Sequence, residues 1–230
     1  MIKKETRINR LKIGIFGVEL ESVNFGVAAL AITQLKILGG IQKKMNLDME
    51  YYLFSDDNED KIRDIEDFMQ MSGIIPKYLV RIRTGLRGLC RLYRDVEACD
   101  LIIDLTYGDS FSDIYGVKNF WLYSIPKIVA IQKKKCLVLA PQTIGPFYHK
   151  NVRLGAKYIL KKANYVFARD EMSLNCVENL AGRGDIVLTS DLAMGLPFQK
   201  EQKRYIKDKK INVGLNVSSL LWMNDLNDHK

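Results

Sequence analysis

Short apolar runs recur along this chain, each ending in a polar or glycine-bearing loop, and between them the apolar positions fall at helical spacing. Residues 12–18 read as a first strand. From Asn24 the positions Val27, Leu30, Ala31, Leu35 and Leu38 carry the period of a helix that Gly39-Gly40 is expected to stop. Residues 50–55 read as a second strand, Asp56-Asp57-Asn58 as a turn, 60–71 as a charged amphipathic helix, 78–83 as a strand and 85–99 as a weaker helix. Leu101, Ile102, Ile103 and Leu105 are apolar without alternation, the pattern of a strand covered on both faces. Residues 119–133 have helical spacing, with Pro126 expected at a kink or near a helix start. Strands are expected at 136–140, 165–168 and 186–189, and helices at 152–162 and 171–180.

This alternation predicts an α/β protein: a Rossmann-like parallel sheet with helices on both faces, spanning residues 1–197. Residues 198–210 crowd Lys200, Lys203, Arg204, Lys207, Lys209 and Lys210 into a stretch with little apolar periodicity, which reads as a basic linker. Residues 211–217 restart a strand pattern, so 211–230 is expected to begin a truncated second domain.

Composition narrows the classes. With 230 residues and 47% hydrophobic content the chain has ample material for a core. No window approaches ~18 uninterrupted apolar residues, so no transmembrane segment is expected. A basic start followed by Ile13, Gly14, Ile15 and Phe16 resembles a signal peptide, but Glu19, Glu21 and Asn24 interrupt it and no small-residue cleavage site follows. A cytoplasmic protein is expected. The net charge of +8 attracts anions, whether nucleic acid, an anionic membrane or a phosphorylated small molecule. The lysines are not interleaved with aromatics and no nucleic-acid-binding motif accompanies them, so no nucleic acid is expected, while peripheral membrane association stays open. Cys90, Cys99, Cys136 and Cys176 are scattered without a C-x-x-C pair, which signals reduced thiols rather than zinc or disulfides. No His, Cys and carboxylate cluster has ligand spacing, so no metal is expected.

Candidate chemistry gathers at the strand ends, because open α/β sheets bind ligands outside the carboxyl ends of their strands. In residues 101–116 a greasy run stops in a loop bearing Asp104, Asp109, Ser110, Ser112 and Asp113, either as site groups or as caps of the next helix. Asn24, Phe25 and Gly26 open a helix, placed to hold an anion or a sugar hydroxyl, with an ordinary N-cap as the alternative. The loop Pro141-Gln142-Thr143-Ile144-Gly145-Pro146-Phe147 has a tightly fixed path and presents Gln142 and Thr143. His149, just past it, is either an acid-base group or an exposed loop histidine. Arg169, Asp170 and Asp191 follow later strands, as site groups or as a structural ion-pair network. Arg87, Arg91 and Arg94 form a stripe that reads as a solvated face rather than a phosphate site.

Taken together, Asn24-Phe25-Gly26, the 104–113 loop, Pro141 through Phe147, Arg169-Asp170-x-x-Ser173, Asp191-Leu192-Ala193 and Val213-Gly214-Leu215-Asn216-Val217-Ser218 resemble the polysaccharide pyruvyl transferases in order and spacing. The resemblance runs from residue 11 to about residue 219. It implies a GT-B-like enzyme of two Rossmann-like halves with the reaction cleft between them. The implied reaction transfers pyruvate from phosphoenolpyruvate to two hydroxyls of a sugar, building a cyclic ketal of a cell-surface polysaccharide or exopolysaccharide and releasing phosphate. Phosphoenolpyruvate is the implied donor substrate and no cofactor is required; the partner is a sugar or lipid-linked saccharide acceptor. Two departures stand out. The family's glycine run at a strand end is here Thr106-Tyr107-Gly108-Asp109, and the carboxyl-terminal half that would supply most cations for phosphoenolpyruvate is missing from this sequence. The chain alone is therefore expected to be inactive.

Ketal formation needs a base for the hydroxyl, an acid for the methylene carbon, and cations for carboxylate and phosphate. Asp109 and Asp113 are the candidate catalytic groups, orienting or deprotonating the hydroxyl. Asn24, Gly26, Asp104, Gly108, Gln142, Thr143, Arg169 and Asp191 are the candidate substrate-binding residues. The alternative functions are a GT-B glycosyltransferase using a sugar nucleotide and a non-catalytic carbohydrate- or anion-binding protein.

Overall fold

The computed structural model describes residues 10–19, 24–55, 76–81 and 86–196, with Val213 and Leu215. The turn expected at 56–58, the helix at 60–71, the linker at 198–210 and most of the strand at 211–217 lie outside the described residues. Strands β1 (Leu11–Phe16), β2 (Met49–Ser55), β3 (Pro76–Arg81), β4 (Leu101–Asp104), β5 (Cys136–Gln142), β6 (Tyr165–Ala168) and β7 (Val187–Leu188) form one sheet in the order β3-β2-β1-β4-β5-β6-β7. Every pairing is parallel. The helices are α1 (Phe25–Met45), α2 (Leu86–Ala98), α3 (Val117–Gln132), α4 (Lys150–Lys162) and α5 (Glu171–Ala181).

The expected Rossmann-like α/β sheet with helices on both faces is the observed architecture, and right-handed crossovers account for which face each helix takes. From β1 the chain steps outward to β2, and α1 packs Leu30, Ala31, Leu35 and Leu38 on Ile13, Ile15, Leu53 and Ile103. From β4 it steps the other way through β5, β6 and β7, so α3, α4 and α5 lie on the opposite face. There Phe120, Val129, Val152, Ile159 and Val177 cover Ile102, Leu137, Leu139 and Val166. The direction reverses between β1 and β4, and that reversal opens a crevice at their carboxyl ends.

Three local expectations are corrected. Gly39-Gly40 does not stop α1, which runs on to Met45 and ends where Asn46 turns left-handed (φ 49°) with its N–H on Gln42 O. A helical glycine costs only ~1 kcal/mol relative to alanine, and the stripe buried on the sheet outweighs that. Pro126 lies buried well inside α3 rather than near its start, where core packing offsets the one backbone bond that proline removes. Strand β5 continues through Pro141 to Gln142, with a register shift against β6 between Leu139 and Gln142. Among the described residues α1 is long and apolar enough to cross a membrane; in this structure its apolar stripe faces the sheet.

Candidate functional site

A cleft of about 210 Å³ opens beyond the carboxyl ends of the strands. Asn24 and Gly26 enter it from the loop after β1, Tyr107, Gly108 and Asp109 from the loop after β4, Arg169 from β6 and Asp191 from β7, with Leu30 of α1 as an apolar wall. Four of the sequence-derived polar candidates, Asn24, Asp109, Arg169 and Asp191, thus meet in one place.

The loop after β4 is shaped by its backbone. Thr106, Tyr107 and Gly108 have φ of 41°, 54° and 91°, three left-handed residues in succession. For the two that are not glycine such a conformation costs of order 1–3 kcal/mol each and persists only when the surroundings impose it. A Cβ on Gly108 would collide with Leu30, so the glycine that remains stands where the approach is closest. The glycine run implied by the resemblance would meet the same backbone demand without strain.

A dry network beneath the cleft imposes the turn. Lys127 Nζ lies 2.9 Å from Asp104 Oδ1. It also donates to Tyr123 O at 2.9 Å and sits 5.0 Å from the centre of the Phe111 ring. Asp104 Oδ2 accepts from Thr106 Oγ1 and from Gln142 Nε2 at 3.2 Å, and Asp104 O accepts from the same amide at 3.0 Å. Asp104 and Lys127 are 1% exposed and Gln142 0%, which leaves no path for a ligand to reach them. Burial lowers the pKa of the Lys127 ammonium, and Asp104 pulls it back up. Asp104 and Gln142, expected to bind substrate, therefore form the floor on which the cleft is built. Thr143 is likewise outside the cleft lining; its N–H donates to Gly108 O at 2.8 Å, tying the loop after β5 to the loop after β4.

Within the cleft, several groups do two jobs. Asn24 is the N-cap of α1, its Oδ1 accepting from Gly26 N at 3.0 Å, so the capping alternative holds while the residue also lines the cleft. Arg169 NH1 donates to Asp191 Oδ2 at 2.9 Å, and its Nε lies 3.7 Å from Asp170 Oδ2. Asp170 caps α5 through Ser173 N at 2.7 Å, and Ser173 Oγ accepts from Ile144 N at 3.0 Å, which explains the spacing of that motif. The ion-pair network expected for these residues is present and opens onto the cleft.

Asp109 accepts from Tyr115 Oη at 2.7 Å and from Ser110 Oγ at 3.3 Å. Burial first, and then the Asp109 carboxylate, push the Tyr115 hydroxyl up to about 12. Tyr115 carries no signal in the sequence beyond its place in the same loop, six residues after Asp109.

Asp113 does not stand with Asp109. Its side chain has no exposure, and it accepts from Tyr148 N at 2.9 Å, from His149 N at 2.8 Å and lies 2.8 Å from His149 Nδ1. Burial would raise this carboxyl, but the His149 and Tyr148 amides and the imidazole outweigh it and hold the pKa below the usual range. Direct contact between Asp113 and a sugar, as expected from sequence, is excluded by these bonds. Among the described residues no group of three His, Cys, Asp or Glu could hold a metal ion, and the four cysteines are free thiols.

Among the described residues, the charges lining the cleft are the carboxylates Asp109 and Asp191 and the guanidinium of Arg169, which is also shared with Asp170. Such a surface suits a neutral ligand rich in hydroxyls, which can both donate to carboxylates and accept from Arg169, better than a small polyanion.

A family model described as polysaccharide pyruvyl transferase matches residues 24–228. Among solved structures, the UDP-GlcNAc 2-epimerase from Neisseria meningitidis bound to UDP-GlcNAc is 12% identical with a TM-score of 0.48, over 79% of this chain and 47% of that one. A further UDP-N-acetylglucosamine 2-epimerase is 10% identical with a TM-score of 0.49, over 77% of this chain and 45% of that one. The chain thus spans less than half the length of either. No curated protein matches it.

Proposed function

From the premise that the chain belongs to the polysaccharide pyruvyl transferase family, we propose that it forms the acceptor side of an enzyme that transfers pyruvate from phosphoenolpyruvate to two hydroxyls of a sugar. The observation that carries this reading is the cleft at the carboxyl edge of a parallel sheet, where, among the described residues, two carboxylates face one guanidinium. Asp109, with one oxygen fixed by Tyr115, accepts a hydrogen bond from a hydroxyl of the acceptor. Arg169 and Asn24 hold neighbouring oxygens of the same sugar. Phosphoenolpyruvate carries a carboxylate and a phosphate, and among the described residues lining this cleft the cation present, Arg169, is already paired with carboxylates. The donor site is therefore assigned to a second half of the enzyme.

The test is calorimetric titration of the chain with methyl glycosides bearing free 4- and 6-hydroxyls, and separately with phosphoenolpyruvate. Glycoside binding that weakens in Asp109→Asn, with no saturable binding of phosphoenolpyruvate, is the expected result. Saturable phosphoenolpyruvate binding displaced by phosphate, without glycoside binding, would overturn it.

A further inference from the structure

The loops after β4 and β5 continue side by side beyond the sheet. Thr143 N donates to Gly108 O at 2.8 Å, Gly145 N to Phe111 O at 2.9 Å and Asp113 N to Pro146 O at 3.4 Å, while Phe111 and Ile144 form a parallel bridge. One end of this ribbon carries the cleft residues Gly108 and Asp109. The other end carries a pair that the cleft does not use: His149, whose Nδ1 lies 2.8 Å from Asp113 Oδ2.

The geometry sets the state of the ring. Asp113 already accepts two backbone amides and is depressed in pKa, so it stands as a carboxylate that only accepts; the hydrogen on the facing nitrogen belongs to Nδ1. In the neutral ring Nε2 then carries the lone pair. The His149 side chain is 59% exposed whereas that of Asp113 is fully enclosed, so the ring presents an open nitrogen backed by a buried carboxylate. Capping α4 does not explain the ring, because the His149 side chain makes no capping hydrogen bond to the first turn of that helix. A buried aspartate fixing Nδ1–H so that Nε2 exchanges protons is the arrangement of acid-base histidines in unrelated enzymes.

We infer that His149 is a catalytic residue of the pyruvyl transfer proposed above, with Asp113 as its positioning residue. The inference rests on that reading. Asp109 and Asp113 are four residues apart, a span of at most ~14 Å, and β5 lies between the strands that deliver Asp109 and Arg169. In this proposal an acceptor of oligosaccharide length is held through one sugar at Asp109 and presents the reacting diol of another to the ring. In the first step a sugar hydroxyl oxygen bonds to C2 of phosphoenolpyruvate; its proton passes to Nε2 and on to C3, turning the methylene into a methyl group. In the second step the neighbouring hydroxyl oxygen bonds to C2 as the bond to phosphate breaks, and its proton passes through Nε2 to the leaving phosphate. The ring ends each step as it began, and the products are one ketal and one hydrogen phosphate.

The chain contains two histidines, His149 and His229, so each is resolved after carbethoxylation with diethyl pyrocarbonate and peptide mass analysis. With an oligosaccharide of 4,6-diol sugars at saturation, shown by titration, labelling of His149 falls relative to that of His229, the internal reference; equal labelling of His149 with and without sugar overturns the inference. In the enzyme assembled with its donor half, His149→Gln lowers kcat at least ~100-fold with KM little changed, and imidazole partly restores His149→Ala. Asp113→Asn lowers kcat as well and lets the ring sample both tautomers by nitrogen NMR. Unchanged kcat in His149→Gln overturns the inference while leaving the pyruvyl-transfer reading intact. If the unaltered enzyme releases no phosphate at all, that reading fails, and the protection experiment still decides whether His149 touches the sugar.

Discussion

Asp104 and Asp109 leave the same strand five residues apart, and the left-handed turn at Thr106 and Tyr107 sends them to opposite environments. Asp104 is dry, paired with Lys127 and saturated by Thr106 and Gln142. Asp109 is half-buried at the cleft, held by a tyrosine that is itself exposed. The buried carboxylate holds the backbone, and the half-buried one faces the open cleft, where the proposed acceptor would meet it. The same side chain thus stands in two dielectric settings.

The comparison breaks most severely at Lys127. Lys127→Met leaves Asp104 buried without its cation and is expected to lower stability by about 3–5 kcal/mol in denaturant unfolding. Adding Asp104→Asn to that variant should recover part of the loss, and full additivity of the two changes would refute the coupling. At the other carboxylate, Asp109→Asn should weaken glycoside binding by ~1.5–3 kcal/mol while moving the thermal midpoint little, as calorimetry and thermal melts will read. An equal loss of stability would reassign Asp109 to the framework. Tyr115→Phe removes one hydrogen bond to Asp109 and is expected to weaken glycoside affinity by about 1 kcal/mol, with the fold intact.

The smallest effect is the pH dependence of the ribbon. Asp113 has a folded pKa below its unfolded one, so its contribution is fully present above the ordinary carboxylate range and is lost as pH falls through the depressed folded value. Protection of the Tyr148 and His149 amides, taken relative to their intrinsic exchange rate at each pH, should therefore fall in acid, below about pH 4, and Asp113→Asn should flatten that response. Protection that holds throughout would show that the loop is held without the carboxylate.

Much of this was legible in the residues. Apolar runs closed by polar loops placed every described strand, and the rule that ligands gather at strand ends brought Asn24, Asp109, Arg169 and Asp191 to one cleft. The errors share a cause. Whether a polar residue at a strand end faces ligand or core depends on the phase of the last strand residue and on a partner from another element. Asp104 meets Lys127 from the middle of α3, and Gln142 reaches Asp104 from the neighbouring strand; neither distance along the chain carries a local signal. Asp113 reads like Asp109 in sequence, yet its carboxylate is claimed by amides thirty-five residues later. Gly39-Gly40 misled because helix propensity is a weak local term that burial of α1 on the sheet overrides.

The pairing of the loops after β4 and β5 has a consequence for how such a protein changes over generations. Because Thr143, Gly145 and Phe111 join the two loops through main-chain atoms, these links do not require particular side chains at those three positions. Replacements at Ser110 or Tyr115, whose hydroxyls donate to Asp109, change the surroundings of that carboxylate while these backbone links stay in place. Lineages carrying this lobe can therefore vary the rim of the cleft by single exchanges that keep its main-chain ties.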